Sequence, residues 1–239
     1  MKIIRKSCAE GAREARGLTV VIDVFRAFTC APFFFYFGAE KVILEADPDT
    51  AQAMKRENPD YILVGEINEV PIEGADLGNS PTHIVRLGEA YFRGKTVVHR
   101  TTAGVTGVSA ALEGADEVIL GSFVMAGAVS RYIKNKKPAL VTIVAMGDRA
   151  KKKAPEDEAC ADYLGHLLTG SPFDPVRALE EVLFQSTAQK FITGEKAYLP
   201  REDPVFCLQR DLFDFVLTAE KTAGRIRVKK ILDHFVPRP

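Results

Sequence analysis

The chain has 239 residues, of which 46% are hydrophobic and 27% charged, and its formal net charge is zero. This length allows one or two domains with a large buried core, and the composition is that of an ordinary globular protein. Without a surplus of Lys and Arg, broad nucleic-acid binding is not expected, whereas a small anionic substrate needs only a local basic cluster.

Cysteines and apolar segments indicate the compartment. The four cysteines are scattered and form no Cys-x-x-Cys pair, which argues against a zinc ribbon or a thioredoxin-type motif and favours free thiols in a reducing compartment. Residues 1–16 are charged and lack the apolar core of a signal peptide. The most apolar stretch, residues 25–38, is shorter than the ~20 residues of a membrane span. We therefore expect a cytoplasmic protein without a membrane partner.

Short apolar runs alternate with helical patterns over the first 145 residues. The nearly continuous run at 18–24 is typical of a strand covered on both faces. Pro32 restricts the helix that follows, which we predict to begin near Cys30 or Ala31. The other predicted strands are 41–44, 61–64, 96–99, 117–120 and 139–145, and the helices between them are 47–58, 80–94, 102–112 and 123–134. This alternation predicts a three-layer α/β/α fold with a mostly parallel sheet.

The pattern changes after Gly147. Residues 148–157 are charged and loop-like, and the segment 225–232 suits a strand or a helix. Helices are predicted up to 168, over 174–191 and over 204–218. The change near 147 marks either a lobe boundary within a single domain, 1–239, or one sheet finishing with a C-terminal helical part.

Polar residues follow several of the predicted strands. In open parallel sheets, ligands bind outside the carboxyl ends of the strands. If the strands are parallel, these residues meet at one edge: Asp23, Glu66, Arg100 to Thr102, Ser122 and Asp148.

Asp23 ends an otherwise apolar strand, where an ionised carboxylate is costly unless a cation or hydrogen-bond donors meet it. The functional interpretation is a metal ligand or a nucleophile; the structural one is a helix cap or an ion pair with Arg26. The haloacid dehalogenase pattern is absent, because Phe25 stands where a second aspartate is needed. The loop after Asp23 leads into a helix N-terminus, which is a natural anion site.

Three further segments carry candidate ligands. The loop from 65 to 81 is long for a simple connection and contains Asn79 and Ser80, of which Ser80 either caps the next helix or contacts substrate. The turn from Arg100 to Gly104 offers hydroxyls and backbone amides to a phosphate without being a Walker A loop. Glu156 and Asp157 begin a helix and either complement its dipole or ligate a hard cation.

Taken together, these segments resemble the 2-phosphosulfolactate phosphatase (ComB-like) family over roughly the first three-quarters of the chain. The resemblance is carried by residues 21–27, 65–66, 75–81, 101–104 and 156–161, and Asp-Leu-Gly-Asn-Ser-Pro at 76–81 is its most specific part. It implies an Mg²⁺-dependent phosphatase of 2-hydroxy-acid phosphate esters such as 2-phosphosulfolactate. In methanogens the product of that reaction, sulfolactate, leads to coenzyme M.

The roles that follow from this resemblance are a working hypothesis. Asp23, Arg26 and Glu66 are the catalytic candidates, and Mg²⁺ is held by Asp23, Glu66 and an acid from Glu156 and Asp157. Water attacks the phosphate, or a carboxylate attacks first. The candidates for substrate binding are Asn79, Ser80, Arg100, Thr101, Thr102 and Gly104.

The chain also departs from the family pattern. Gly-Glu-Arg-Gly-Gly becomes Gly-Glu-Ile-Asn-Glu at 65–69, and Thr-Thr-Asn-Gly-Thr becomes Thr-Thr-Ala-Gly-Val at 101–105. These departures keep a second function open, a non-catalytic binding protein for a phosphorylated metabolite. A third possibility is that the acids form only structural pairs and that the surface of the protein makes an assembly. A homo-oligomer is compatible with all of these functions.

Overall fold

The computed structural model describes residues 1–232, apart from the side chain of residue 186. Within this part of the chain, ten strands form a sheet. They are β1 (Lys2–Ser7), β2 (Gly17–Ile22), β3 (Lys41–Glu45), β4 (Ile62–Ile67), β5 (Val70–Pro71), β6 (Thr96–Arg100), β7 (Ala115–Gly121), β8 (Leu140–Ala145), β9 (Phe215–Thr222) and β10 (Arg225–Leu232).

Helices connect most of the strands. They are α1 (Cys8–Arg13), α2 (Ala27–Tyr36), α3 (Pro48–Glu57), α4 (Pro81–Leu87), α5 (Glu89–Phe92), α6 (Gly104–Ala111), α7 (Ala126–Lys136), α8 (Pro155–Thr169), α9 (Pro175–Leu183), α10 (Ser186–Ile192) and α11 (Asp203–Cys207). A short 3₁₀ helix, Phe123–Met125, precedes α7. No helix within residues 1–232 combines the length and the apolar character that crossing a membrane requires.

The strand order is β1-β8-β2-β7-β9-β10-β3-β6-β4-β5. Parallel ladders join β1, β8, β2 and β7 in one group and β3, β6 and β4 in another. The β9–β10 hairpin lies between the two groups and pairs antiparallel with β7 and β3. The predicted α/β fold with a mostly parallel sheet and C-terminal helices is confirmed.

The hairpin reverses the direction of one parallel group relative to the other. In a flat sheet, the carboxyl ends of β2 and β4 would then lie at opposite edges. Neighbouring strands of a sheet are typically rotated by about 20–25°, so six steps, as from β2 to β4, add up to about 120–150°. A twist of this size turns the two carboxyl ends back toward one another, and residues after both strands line the pocket described below.

The sequence signals for helix starts are realised as hydrogen bonds. Asp47 accepts from the Thr50 N–H at 2.8 Å at the start of α3, and Ser80 accepts from the His83 N–H at 3.2 Å at the start of α4. Proline occupies the first helical position in both cases, where its missing N–H costs nothing. The predicted helix over 80–94 is divided into α4 and α5 at Gly88, which has a φ of 64°.

The predicted start of the first long helix is wrong, because α2 begins at Ala27 and contains Pro32 in its interior. A proline there removes the hydrogen bond to the carbonyl four residues earlier, that of Phe28. Ser122, at the end of β7, donates its hydroxyl to this carbonyl at 2.9 Å. The buried acceptor is thereby satisfied from another element, a compensation that local sequence does not reveal.

The predicted helix over 204–218 is also wrong. Helix α11 ends at Cys207, and Phe215 begins β9. Residues 215–219 are almost entirely buried, and the strand fills the centre of the sheet between β7 and β10. Segment 225–232, for which the sequence suited either a strand or a helix, is the strand β10. The edge strand β1 was not predicted from the sequence.

Candidate active site

A pocket opens at the carboxyl ends of β2, β4, β6 and β8, and α10 forms one of its walls. Eight of the predicted site residues line it: Asp23, Arg26, Glu66, Asn79, Thr101, Thr102, Glu156 and Asp157. Asp148, expected at this edge of the sheet, also lines it, together with residues that the sequence analysis did not assign to the site, among them Phe25, Asn68, Glu69, Arg149, Thr187 and Phe191. Ser80, Arg100 and Gly104 are not part of the lining.

Asp23 lies directly after β2, before the first turn of α2. Its Oδ1 accepts from the Ala27 N–H at 3.3 Å, and its side chain is buried. Burial raises the pKa of Asp23 to about 6, and the negative charge of Glu66 adds to the rise. The backbone N–H groups of Ala27 and Gly104 and the positive charge of Arg26 oppose it. Asp23 is therefore a helix-cap acceptor and, at the same time, a buried acid beside a second acid.

Glu66 is held in place from both sides of its carboxylate. Oε1 accepts from the N–H and the hydroxyl of Thr102 at 3.0 and 3.2 Å, and Oε2 accepts from the Glu69 N–H. Arg100 donates to the backbone carbonyl of Glu66 and to the Thr102 hydroxyl. Arg100 thus positions Glu66 and Thr102 from behind the pocket.

Glu156 and Asp157 are buried in the first turn of α8. Asp157 accepts from the N–H groups of Val24 and Gly147, each at 2.7 Å, which fastens α8 to the ends of β2 and β8. Burial and the charge of Glu156 raise the pKa of Asp157 well above its usual range. Burial also raises the pKa of Glu156 to about 7, and Asp23 contributes to that rise. The Oε2 of Glu156 is buried without a hydrogen-bond partner among the described residues.

Arg26 belongs to a buried ion pair that the sequence did not indicate. Its Nη1 donates to Asp203 at 2.9 Å and to the Tyr198 carbonyl at 3.1 Å, and its guanidinium lies 5.2 Å from the centre of the Phe191 ring. Asp203 is fully buried and also accepts from the Ser80 hydroxyl at 2.8 Å. Ser80 therefore serves as a helix cap and a partner of Asp203 instead of lining the pocket.

Asn79 and Thr101 line the pocket, and Gly104 lies against Asp23. Asn79 accepts from His99 at 2.8 Å and donates to the Arg100 carbonyl at 3.3 Å, which identifies Nε2 as the protonated nitrogen of His99. Burial lowers the pKa of His99 to about 3, so the ring is neutral. The Thr101 hydroxyl accepts from the Gly104 N–H at 3.1 Å at the start of α6.

The described lining contains six carboxylates but only two arginines, Arg26 and Arg149. Arg26 is already paired with Asp203. The acids facing the pocket are Asp23, Glu66, Glu69, Asp148, Glu156 and Asp157. A phosphate dianion entering this pocket alone would meet net negative charge.

A family model described as 2-phosphosulpholactate phosphatase matches residues 5–222. The chain belongs to the 2-phosphosulfolactate phosphatase family. A "Probable 2-phosphosulfolactate phosphatase" of Bacillus subtilis (strain 168) is 30% identical over 218 residues, which cover 90% of this chain and 92% of the relative. A protein of the same name from Thermoplasma acidophilum is 31% identical over 212 residues, covering 87% and 88%.

Membership of the 2-phosphosulfolactate phosphatase family confirms the resemblance and extends it beyond the predicted three-quarters of the chain. The matched range includes the pocket wall at Thr187 and Phe191, the ion-pair partner Asp203 and strand β9. Only weak signals in the sequence pointed to these residues. Asp203 precedes a proline, which is typical of a helix start and not specific to a site.

The acids of the pocket match the needs of a divalent cation in chemistry and not in grouping. Among the described residues, no three or more His, Cys, Asp or Glu side chains are grouped so that they could hold a metal ion as they stand. Several carboxylates nevertheless face one pocket, and one of their oxygens, Oε2 of Glu156, is buried without a partner. Hard oxygen donors with uncompensated charge suit Mg²⁺. The described residues therefore suit Mg²⁺ by the chemistry of their oxygen donors, although they are not grouped around one ion position.

Proposed function

We propose that this protein is a magnesium-dependent phosphatase that hydrolyses a small 2-hydroxy-acid phosphate ester, such as 2-phosphosulfolactate, to the hydroxy acid and phosphate. The observation that carries the proposal is the pocket with six carboxylates and two arginines in a member of this family. The names of the two relatives support the substrate class.

The excess of carboxylates supports the metal requirement. Uncompensated buried acids repel a phosphate. Burial is the main cause of the raised pKa values of Asp23 and Glu156, and the charge of a neighbouring acid adds to each rise. Residues Asp23, Glu66, Glu156 and Asp157 would hold the ion. Bound Mg²⁺ would neutralise their charge and stabilise the negative charge that develops on the phosphoryl oxygens.

The chain's own donors would orient the phosphoryl group. Arg26 uses Nη1 for Asp203 and Tyr198, while its remaining N–H groups have no protein partner among the described residues. Thr101 and Thr102 also line the pocket. In the net reaction, water adds to phosphorus, the P–O ester bond breaks, and the alcohol oxygen leaves with a proton.

The test is phosphate release from 2-phosphosulfolactate and 2-phospholactate, with Mg²⁺ and with a chelator. We expect activity only with the metal, and a loss of about 100-fold or more in Asp23→Asn. Asp162→Asn is the matched control, because Asp162 is exposed on α8 and pairs with Arg5 outside the pocket. Activity that is unaffected by the chelator, or full activity in Asp23→Asn, would contradict the proposal. Tight binding without turnover would support the alternative, a binding protein for a phosphorylated metabolite.

A further inference from the structure

The two arginines of the pocket differ in burial and in pairing. Arg26 is buried, and its ion pair with Asp203 has side chains only 4% and 0% exposed. Arg149, on the loop between β8 and α8, has a side chain that is 59% exposed. Its ion-pair partner is the adjacent Asp148, at 3.9 Å and 58% exposed. An exposed pair at this distance contributes little free energy, so the Arg149 guanidinium is available to a ligand.

The loop that carries Arg149 is held by hydrogen bonds at both of its ends. Gly147 donates to the Asp157 carboxylate at 2.7 Å, and the Asp148 N–H donates to the Lys152 carbonyl, also at 2.7 Å. The Ala150 carbonyl accepts from the Ala9 N–H at 2.9 Å, and Ala150 itself is buried. Arg149 therefore projects from a fixed support beside the acid cluster.

The backbone at this point adopts a conformation that most residues avoid. Arg149 has a φ of 50° and Ala150 a φ of 59°. A left-handed backbone is unfavourable for an L-residue with a side chain. Such conformations persist where the surroundings enforce them, and they concentrate at ligand sites. Here the strained pair positions a cation at the rim of the pocket.

Among the described residues that line the pocket, only Arg26 and Arg149 have a positively charged side chain. Lys190 is paired with Glu69, and Asp148 and Glu69 are themselves acids. An anionic group of the substrate that lies outside the phosphoryl site would thus find its cationic partner at Arg149. A planar guanidinium can bind a carboxylate or a sulfonate through two parallel hydrogen bonds.

We infer that Arg149 binds a second acidic group of the substrate, the carboxylate bonded to the phosphorylated carbon. Arg26 and the floor of the pocket bind the phosphoryl group. This inference rests on the proposed function and adds to it the residue that distinguishes a phosphorylated acid from a neutral phosphate ester.

The test compares 2-phospholactate with isopropyl phosphate, which carries a methyl group in place of the carboxylate. We expect Arg149→Ala to lower the ratio of kcat/KM for the acid to kcat/KM for the neutral ester by about 10- to 100-fold, mainly through KM for the acid. For Arg149→Lys this ratio should lie between those of the wild type and Arg149→Ala, because lysine keeps the positive charge but cannot form the two parallel hydrogen bonds of a guanidinium. Lys151→Ala is the matched control: Lys151 is exposed in the same loop and does not line the pocket.

An unchanged ratio in Arg149→Ala, whether both esters lose activity equally or neither does, would overturn the inference. Circular dichroism melting of each variant shows whether the fold is retained. If the wild type hydrolyses neither ester with Mg²⁺, the proposed function fails. Calorimetric binding of the same two esters to the wild type and to Arg149→Ala then decides the role of Arg149 separately.

Discussion

At position 104, beside Asp23, the structure has no room for a methyl group. A Cβ built on Gly104 would lie 2.7 Å from Oδ2 of Asp23 and 2.8 Å from Cζ of Phe28. Contacts this short require a neighbour to move, and both neighbours are buried. Glycine at the start of α6 therefore sets how closely that helix approaches the carboxylate.

We expect Gly104→Ala to lower the free energy of unfolding by about 1–3 kcal/mol through overpacking. It should also reduce kcat/KM by displacing Asp23. Urea unfolding and a phosphatase assay measure the two effects. Gly165→Ala in α8 is the control, since a Cβ there meets nothing within 4 Å and alanine favours the helix by up to about 1 kcal/mol. Equal behaviour of the two variants would contradict the close approach at Gly104.

The buried acids make the stability of the metal-free protein depend on pH. The pKa rises from 3.8 to about 6 for Asp23 and from 4.5 to about 7 for Glu156. Because the folded state binds these protons more tightly than the unfolded state, both groups lower stability above their folded pKa values, and the loss disappears as the pH falls toward the unfolded values.

Between pH 8 and pH 5 we therefore expect the metal-free protein to gain stability from these two groups, on the order of a few kcal/mol. Mg²⁺ should remove most of this gain, because it binds the charged form and tightens as the pH rises. Thermal unfolding at several pH values, with Mg²⁺ and with a chelator, measures both effects. Glu156→Gln should show a smaller pH dependence. A wild-type profile that matches that of Glu156→Gln would refute the assignment.

At the scale of elements, the short helix α11 joins the pocket to α2 and α4. Asp203 at its start accepts from Arg26, from the Ser80 hydroxyl and from the Thr82 N–H at 3.1 Å. One fully buried carboxylate thus connects three elements and orients the arginine proposed to bind phosphate. An exposed second ion pair, between Glu202 and Arg86, joins α4 to the residue before α11.

Asp203→Asn should lower the free energy of unfolding by about 3–5 kcal/mol, because it leaves the Arg26 charge buried and uncompensated. It should also raise KM for the phosphate ester as Arg26 loses its orientation. The neighbouring Glu202→Gln removes an exposed pair and should change stability by less than about 1 kcal/mol. Denaturant unfolding of both variants compares the two ion pairs directly, and similar losses would argue against the positioning role of Asp203.

At the scale of the molecule, the β9–β10 hairpin connects the two parallel groups of the sheet. Its residues pair with β7 on one side and β3 on the other, although they follow most of the chain in sequence. The pocket draws its acids from both groups, with Asp23 after β2 and Glu66 in β4. Folding of the site thus requires the hairpin to be in place.

We predict a single domain that unfolds in one transition, with no separate lobe beginning near residue 147. Hydrogen exchange of amides in β2 and in β6 should report the same opening free energy in denaturant. Val228→Asp places a charge at a position of β10 that is only 6% exposed and should destabilise both groups equally. Two separate transitions, or a loss confined to one group, would show independent lobes.

Local patterns predicted the elements that local chemistry controls. Strand β2 could be predicted because its residues form a nearly continuous apolar run. The starts of α3 and α4 could be predicted because a capping side chain precedes a proline in each. The start of α2 could not be predicted, because the Phe28 carbonyl that Pro32 leaves without a donor accepts a hydrogen bond from Ser122, which is distant in sequence. Strand β9 was mistaken for a helix because its burial arises from strands that lie far away in sequence.

By itself, the sequence determined the α/β class, the family and the acids that follow the strands, because each depends on residues close together in the chain. The tertiary structure decided which of these residues share a pocket, through the twist that turns two oppositely directed groups of strands toward one another. It also decided the partners of Arg26 and the placement of Arg149, since contacts between residues more than a hundred positions apart leave no periodic pattern in the sequence.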